Sequence, residues 1–264
     1  MFLWWAVIAA ALTLLFFVLC DLSTFWSVLC VFLASFVGQI LIWAIVGFIA
    51  TLFVDVDKKN EKDSKFFRFY AYCIEKILKR VLRYKVDVTG LEKLPEGKFL
   101  LVGNHRSAFD PIIQLGVFRK YNLSFVSKKE NLKMPVFGKI MHRCSCVPLD
   151  RDNFRQAAVA ISQTADIIKS GEAAMGIYPE GTRNHGEGLL PFKPGAFKIA
   201  KKADCPIVVV VMRNSEFVMK NAPFKATKVS LKVLDVLSAD FVKENNTSQI
   251  GDVVYAMMDE ELKG

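Results

Sequence analysis

A chain of 264 residues has room for one large domain, or for a domain and an anchor. It is 53% hydrophobic yet carries a formal net charge of +9, which excludes a disordered chain, a collagen-like repeat and a disulfide scaffold. Position resolves the apparent conflict. Residues 1–54 contain one charged residue, Asp21, so the rest of the chain holds all 35 basic residues and 25 of the 26 acidic ones. The six cysteines form no framework, and Cys144-x-Cys146 has no second pair to complete a metal site, so reduced thiols in a cytosolic compartment are the reading.

The first expected element is the apolar run Phe2–Cys20, about 28 Å long as a helix and close to the hydrocarbon thickness of a bilayer. It lacks a basic leading segment and is too long for the core of a cleaved signal peptide. A second uncharged run follows, and the two read as a transmembrane hairpin over residues 1–54, with spans at about 2–20 and 28–54. A single span with an interfacial partner helix is the alternative. Lys58, Lys59, Lys62, Lys65 and Arg68 come directly after, which places the rest of the chain on the cytoplasmic face. Residues 55–85 include an amphipathic helix, Ser64–Lys85, with Ser64 as N-cap. Its aromatic and basic residues suit either an anionic lipid surface or a core-packing helix with a solvated face.

Residues 86–264 then alternate. Strands are expected at Lys98–Gly103, Leu123–Ser127, Cys146–Leu149, Ala173–Tyr178, Ile207–Met212 and Val229–Val236. Helices are expected at Pro111–Arg119, Met134–His142, Asp152–Ser170 and Ala196–Ala203, with a short one near Gln249–Lys263. The clearest, Asp152–Ser170, has an apolar stripe of Phe154, Ala157, Ala158, Ile161, Ala165 and Ile168, closed by Gly171. The fold class is α/β, a mostly parallel central sheet flanked by helices.

Two segments carry chemistry. In Gly103-Asn104-His105-Arg106-Ser107-Ala108-Phe109-Asp110-Pro111, a strand runs into a turn before a helix. The turn lets the Asp110 carboxylate fold back on the His105 imidazole, which would fix its tautomer and make it a general base. The same residues also fit a plain reading, with Asp110 as N-cap, Pro111 at N1 and His105 as a turn residue. The second segment, Tyr178-Pro179-Glu180-Gly181-Thr182-Arg183, follows an apolar strand, at the sheet edge where α/β proteins bind ligands. Gly181 lets amides approach a ligand, and Arg183 offers a bidentate grip on phosphate. Glu180 would hold Arg183 or accept from a substrate hydroxyl. A Pro-Gly turn with a surface ion pair is the plain reading here. Lys193, Lys198, Lys201 and Lys202 form either a solvated face or a rim for a polyanionic donor.

The pair of motifs, Asn104-His105-x-Ser107-x-x-Asp110 and, about 70 residues on, Pro179-Glu180-Gly181-Thr182-Arg183, resembles the glycerophospholipid acyltransferases. Val147-Pro148-Leu149-Asp150-Arg151 is similar to the family's intermediate motif, and Pro206-Ile207-Val208 to its fourth. Tyr178 stands where the family usually has Phe, and Asn184 where Ser is frequent. The resemblance spans about Val86–Val236. It implies that His105 is the general base with Asp110 as partner. Arg151 and Arg183, helped by Glu180, Gly181, Thr182 and Lys128, would bind the acceptor's phosphate. It also implies acyl transfer from acyl-CoA or acyl carrier protein to the sn-2 hydroxyl of lysophosphatidate at a membrane, giving phosphatidate, with no cofactor, no metal and no nucleic acid. Glycerol 3-phosphate or another lysophospholipid as acceptor, and a non-catalytic lipid-binding protein, are the rival readings.

Overall fold

The computed structural model describes residues 2–20, 24–58, 62–150 and 153–264, the side chains of residues 2, 3 and 20 excepted. Arg151, a predicted phosphate ligand, and Asp152, the predicted start of a helix, lie outside the described residues. The chain divides into two compact units, residues 1–55 and 56–264. The first holds α1 (Phe2–Cys20) and α2 (Phe25–Leu52). Their faces meet where the Trp5 and Trp43 rings pack edge to face, centroids 6.1 Å apart, and Gln39 donates to the Trp5 carbonyl. The Thr24 hydroxyl accepts from the Ser27 amide and caps α2 three residues ahead of the predicted start. By length and composition α2 can cross a membrane.

The second unit begins with α3 (Lys65–Val81), capped by Ser64 as expected. It ends short of Lys85, because Tyr84–Thr89 is a strand, β1, that the sequence reading took partly as helix. There follow β2 (Leu100–Gly103), α4 (Asp110–Val117), β3 (Ser124–Lys128), α5 (Lys129–Leu132), α6 (Phe137–Arg143) and β4 (Val147–Leu149). Then come α7 (Phe154–Lys169), β5 (Met175–Ile177), α8 (Lys198–Ala203), β6 (Ile207–Arg213), α9 (Phe217–Asn221), β7 (Thr227–Leu237), α10 (Ala239–Glu244) and α11 (Thr247–Lys263).

The described residues form a seven-stranded sheet in the order β1-β7-β6-β2-β5-β3-β4. The five strands from β6 to β4 run parallel, while β7 is antiparallel to β6 and β1 pairs parallel with β7. The mostly parallel α/β class therefore holds. Both faces are covered. Leu100, Val102, Val209 and Val211 join one buried cluster with Ala165, Phe197 and Val254. Leu101, Val208 and Val210 alternate into the other, with Ile113, Phe118 and Leu231. This is why β6 reads as an unbroken apolar run.

Two packing expectations change. The buried face of α7 is Ala160, Thr164, Ala165 and Ile168, while Phe154, placed in the predicted stripe, is 92% exposed. It is the first residue of the helix, so its side chain clears the sheet. On α3, Arg68 is not part of a solvated basic face. It is buried, donates to the Leu123 (2.7 Å) and Cys144 (3.0 Å) carbonyls, and pairs with Asp63. That network fastens α3 to the domain, so the core-packing reading of this helix holds for its inner side.

Candidate active site

Parallel strands bring their C-terminal ends to one edge. His105 follows β2, the Glu180–Arg183 loop follows β5, Lys128 ends β3, and Asn214–Glu216 follow β6. The two predicted segments are neighbours because β2 and β5 are hydrogen-bonded partners.

Asp110 is completely buried, and its Oδ2 lies 2.9 Å from His105 Nδ1. The same oxygen accepts from the amides of Arg106 (2.7 Å) and Ser107 (2.8 Å). An oxygen receiving two N–H donors presents only lone pairs, so the imidazole donates from Nδ1 and leaves Nε2 as the acceptor. Asp110 is not the helix cap. Phe109 holds that position, Asp110 is the first residue of α4, and its carboxylate turns back onto the loop. The capping reading fails because the amides it satisfies lie upstream, not in the helix.

The His105 backbone is held from both sides. Its amide donates to Glu180 Oε1 at 2.7 Å, and its carbonyl accepts from the Asn184 amide at 2.7 Å. Glu180 Oε2 accepts from the Leu190 amide at 3.0 Å. Glu180 is only 3% exposed and spends each oxygen on a backbone N–H; the ion pair with Arg183 allowed by the sequence does not occur. It ties loops together. Burial pushes its pKa above the usual carboxylate value, and the two amides pull part of the way back.

Gly181 has φ +73°, a conformation that favours glycine, and its own amide is used by the Tyr178 carbonyl at 3.0 Å. Thr182 and Arg183 are exposed on the loop fixed by Glu180 and Asn184. Lys128 is exposed at its strand end, 3.6 Å from Glu130, with no bond to the histidine. His105, Asp110 and Glu180 are thus joined by hydrogen bonds. Gly181, Thr182 and Arg183 share their loop, and Lys128 shares only the edge.

Several contacts at the site were not foreseen from sequence. The Tyr178 ring stacks on the imidazole, centroids 4.2 Å apart and 9° from parallel, and Phe125 stacks behind it at 5.9 Å. The phenol donates to Gln114 Oε1 at 3.0 Å, and burial keeps its pKa well above the ordinary value. The signal was the aromatic residue in the motif, which kept a ring where the family has one. Asn104 exchanges two bonds with the Met212 backbone, 2.9 and 2.8 Å, locking the start of the loop to β6. Arg106 donates to the Gly186 carbonyl and, at 3.0 Å, to Glu216 Oε1, spanning the loops after β5 and β6. No spacing rule pointed to Glu216, which lies 110 residues from its partner. Burial drives the Cys144 and Cys205 thiols up to about 12, so neither is a ready nucleophile.

A carboxylate-oriented imidazole beside a loop rich in donors is a site for moving a proton off a hydroxyl during group transfer. The acyltransferase family profile matches residues 85–213. A 1-acyl-sn-glycerol-3-phosphate acyltransferase of Borreliella burgdorferi is 31% identical over 182 residues, covering 66% of this chain and 72% of the relative. One of Saccharomyces cerevisiae is 28% identical, covering 73% and 65%, and a probable one of Mycoplasma pneumoniae is 38% identical, covering half of each. The chain thus spans about half to two thirds of the length of these two relatives. The crystal structure of the 1-acyl-sn-glycerophosphate (LPA) acyltransferase PlsC from Thermotoga maritima is similar in fold, with TM-score 0.64, 22% identity, and coverage of 84% of this chain and 88% of that one. The chain belongs to the acyltransferase family.

Proposed function

We propose that the protein transfers a fatty acyl group from an acyl thioester to the sn-2 hydroxyl of lysophosphatidate, making phosphatidate. The observation that carries this reading is the buried Asp110 carboxylate on His105 Nδ1, with the histidine's backbone fastened to the Glu180–Arg183 loop. His105 Nε2 takes the proton of the acceptor hydroxyl. The hydroxyl oxygen bonds to the thioester carbonyl carbon, the C–S bond breaks, and the thiolate takes the proton from the imidazolium. Asp110 stabilises the transient positive charge and is a positioning and electrostatic partner. Arg183 and Thr182 hold the acceptor phosphate from the loop, with Lys128 from the end of β3, and Arg151 carries the role that the resemblance gives it. Fixing the phosphate fixes the hydroxyl near the base, an orientation effect that contributes several kcal/mol in favourable cases. Glu180 serves the site by holding the loops.

The donor is acyl-CoA or acyl carrier protein. Helix α2 anchors the chain in the bilayer, with Lys58, Lys59, Lys62 and Lys65 holding the second unit on the cytoplasmic face. The test uses full-length protein in mixed micelles with lysophosphatidate, glycerol 3-phosphate and lysophosphatidylcholine as competing acceptors. Phosphatidate is the expected main product. His105→Ala is expected to abolish it, a loss of at least about 100-fold, in a protein that still unfolds cooperatively. Undiminished turnover in that variant refutes the assignment.

A further inference from the structure

An open cavity of about 410 Å³ is lined by Lys85, Asn214, Phe217, Asn221, Lys225 and Lys228. The topology places it at the same sheet edge as His105. β6 ends at Arg213 beside Ser230, so the start of antiparallel β7, and with it the start of β1, extends past the edge where β2 releases the histidine. Asn214 and Phe217 bracket Glu216, whose carboxylate holds Arg106 next to His105, so the segment that lines the cavity is tied by one ion pair to the loop that carries His105. β7 is two strand spacings from β2, about 10 Å, and β1 is three, about 14 Å.

The charge around this cavity is unusual. Lys85 and Lys228 are directly opposite each other across β1 and β7, both exposed, where like charges destabilise the pair. Lys85, Lys225 and Lys228 form no ion pair among the described residues. Arg83 is fixed on the same rim by the Pro223 and Phe224 carbonyls, and Lys220 Nζ sits 5.4 Å from the Phe217 ring centroid. The nearest acidic groups in sequence are Asp87, two residues along β1, and Glu216, already bonded to Arg106. Repelling cations around a hollow with a half-exposed aromatic ring fit a ligand that brings phosphates and a flat base.

We propose that this cavity binds the phosphates of a coenzyme A thioester, the acyl donor. The inference rests on the acyl-transfer reading above. His105 on β2 then lies between two cationic groups. The described acceptor-phosphate residues follow β5 and β3, and this cavity is on the β6, β7 and β1 side. The pantetheine arm crosses the intervening strands and delivers the thioester to the imidazole.

The test measures KM for palmitoyl-CoA in full-length wild type, Lys85→Ala, Lys228→Ala and the double variant, with palmitoyl-pantetheine, which has no phosphates, as the comparison donor. Each single change is expected to raise KM for palmitoyl-CoA roughly tenfold and the double roughly a hundredfold, as charge-assisted bonds are lost. The wild-type preference for palmitoyl-CoA over palmitoyl-pantetheine is expected to shrink in step. Lys169→Ala, at the end of α7, is the charge control and is expected to leave the preference intact. Unchanged KM values for palmitoyl-CoA in an active wild-type background overturn the proposal, as does an equal rise for palmitoyl-pantetheine. If the wild type turns over no thioester, the acyl-transfer reading fails. Calorimetry with adenosine 3′,5′-bisphosphate then still decides the cavity: binding that weakens in the double variant supports it, and no binding overturns it.

Discussion

Replacing Asp110 by Asn isolates the charge of the catalytic pair. The carboxylate Oδ2 serves His105 and two amides, whereas Oδ1 is buried and has no partner. An Asn that keeps its oxygen in the Oδ2 position preserves all three bonds and turns its NH₂ into the space where Oδ1 already made none. The geometry survives and the negative charge is lost. Opposite unit charges about 4 Å apart interact by about 4 kcal/mol at an effective dielectric constant of 20. Removing that support from the imidazolium formed during proton abstraction is expected to slow the chemical step about a thousandfold. Single-turnover release of CoA thiol in the presence of saturating lysophosphatidate reads it, with calorimetric unfolding as the structural check. Asp110→Ala adds a second signature, because the Arg106 and Ser107 amides lose their acceptor and stability falls by about 2–5 kcal/mol. Asp110→Asn retaining more than a tenth of the wild-type rate refutes the claim that Asp110 acts through its charge on His105.

Two further outcomes follow from buried polar groups remote from the chemistry. Arg68→Ala leaves Asp63 and two buried carbonyls without their cation, and a loss of about 3–5 kcal/mol is expected in denaturant unfolding of the second unit in the full chain; a loss below 1 kcal/mol sinks this account of α3. Glu75 is buried on α3 beside the Tyr84 hydroxyl, and burial raises its pKa. A folded-state pKa above the unfolded one means that the native state binds the extra proton, so stability is greatest below the ordinary carboxylate range and falls as pH rises through the raised value. Glu75→Gln keeps an acceptor for Tyr84 and is expected to flatten that fall, which unfolding midpoints measured from pH 4 to 8 will show.

The placement of the chemistry-bearing segments after strands of a mostly parallel sheet was legible because the local signals agreed with the global ones. β6 is apolar from Ile207 to Met212 and lies inside the sheet with both faces covered, and the two motifs each follow an apolar strand. β1 was harder to see. Tyr84, Val86 and Val88 alternate as a strand does, but they directly continue a helical pattern, and only the pairing with β7 decides between the two periods. Arg68 reads as one more cation on a basic face, since its partners, Leu123 and Cys144, are 55 and 76 residues away. In the candidate site, His105 and Asp110 are five residues apart, so a turn sufficed to foresee their contact. Glu180 was foreseen as a residue but not in its partners. Nothing in a Pro-Glu-Gly turn says that its carboxylate reaches the backbone of a residue 75 positions earlier. The Tyr178 stack likewise needs β2 and β5 side by side.

The histidine's main chain is gripped at both its N–H and its C=O by residues that flank Thr182 and Arg183. The backbone that carries the imidazole and the backbone that carries Thr182 and Arg183 therefore belong to one piece. Under the proposed function, with the anionic head seated on that loop, the piece would work as a ruler of set length, and an alcohol would be accepted when its distance from the head matches the gap. Lengthening the spacer between head and alcohol by one carbon would put the oxygen out of register, so selectivity would be written in backbone rigidity as well as in the shape of a pocket.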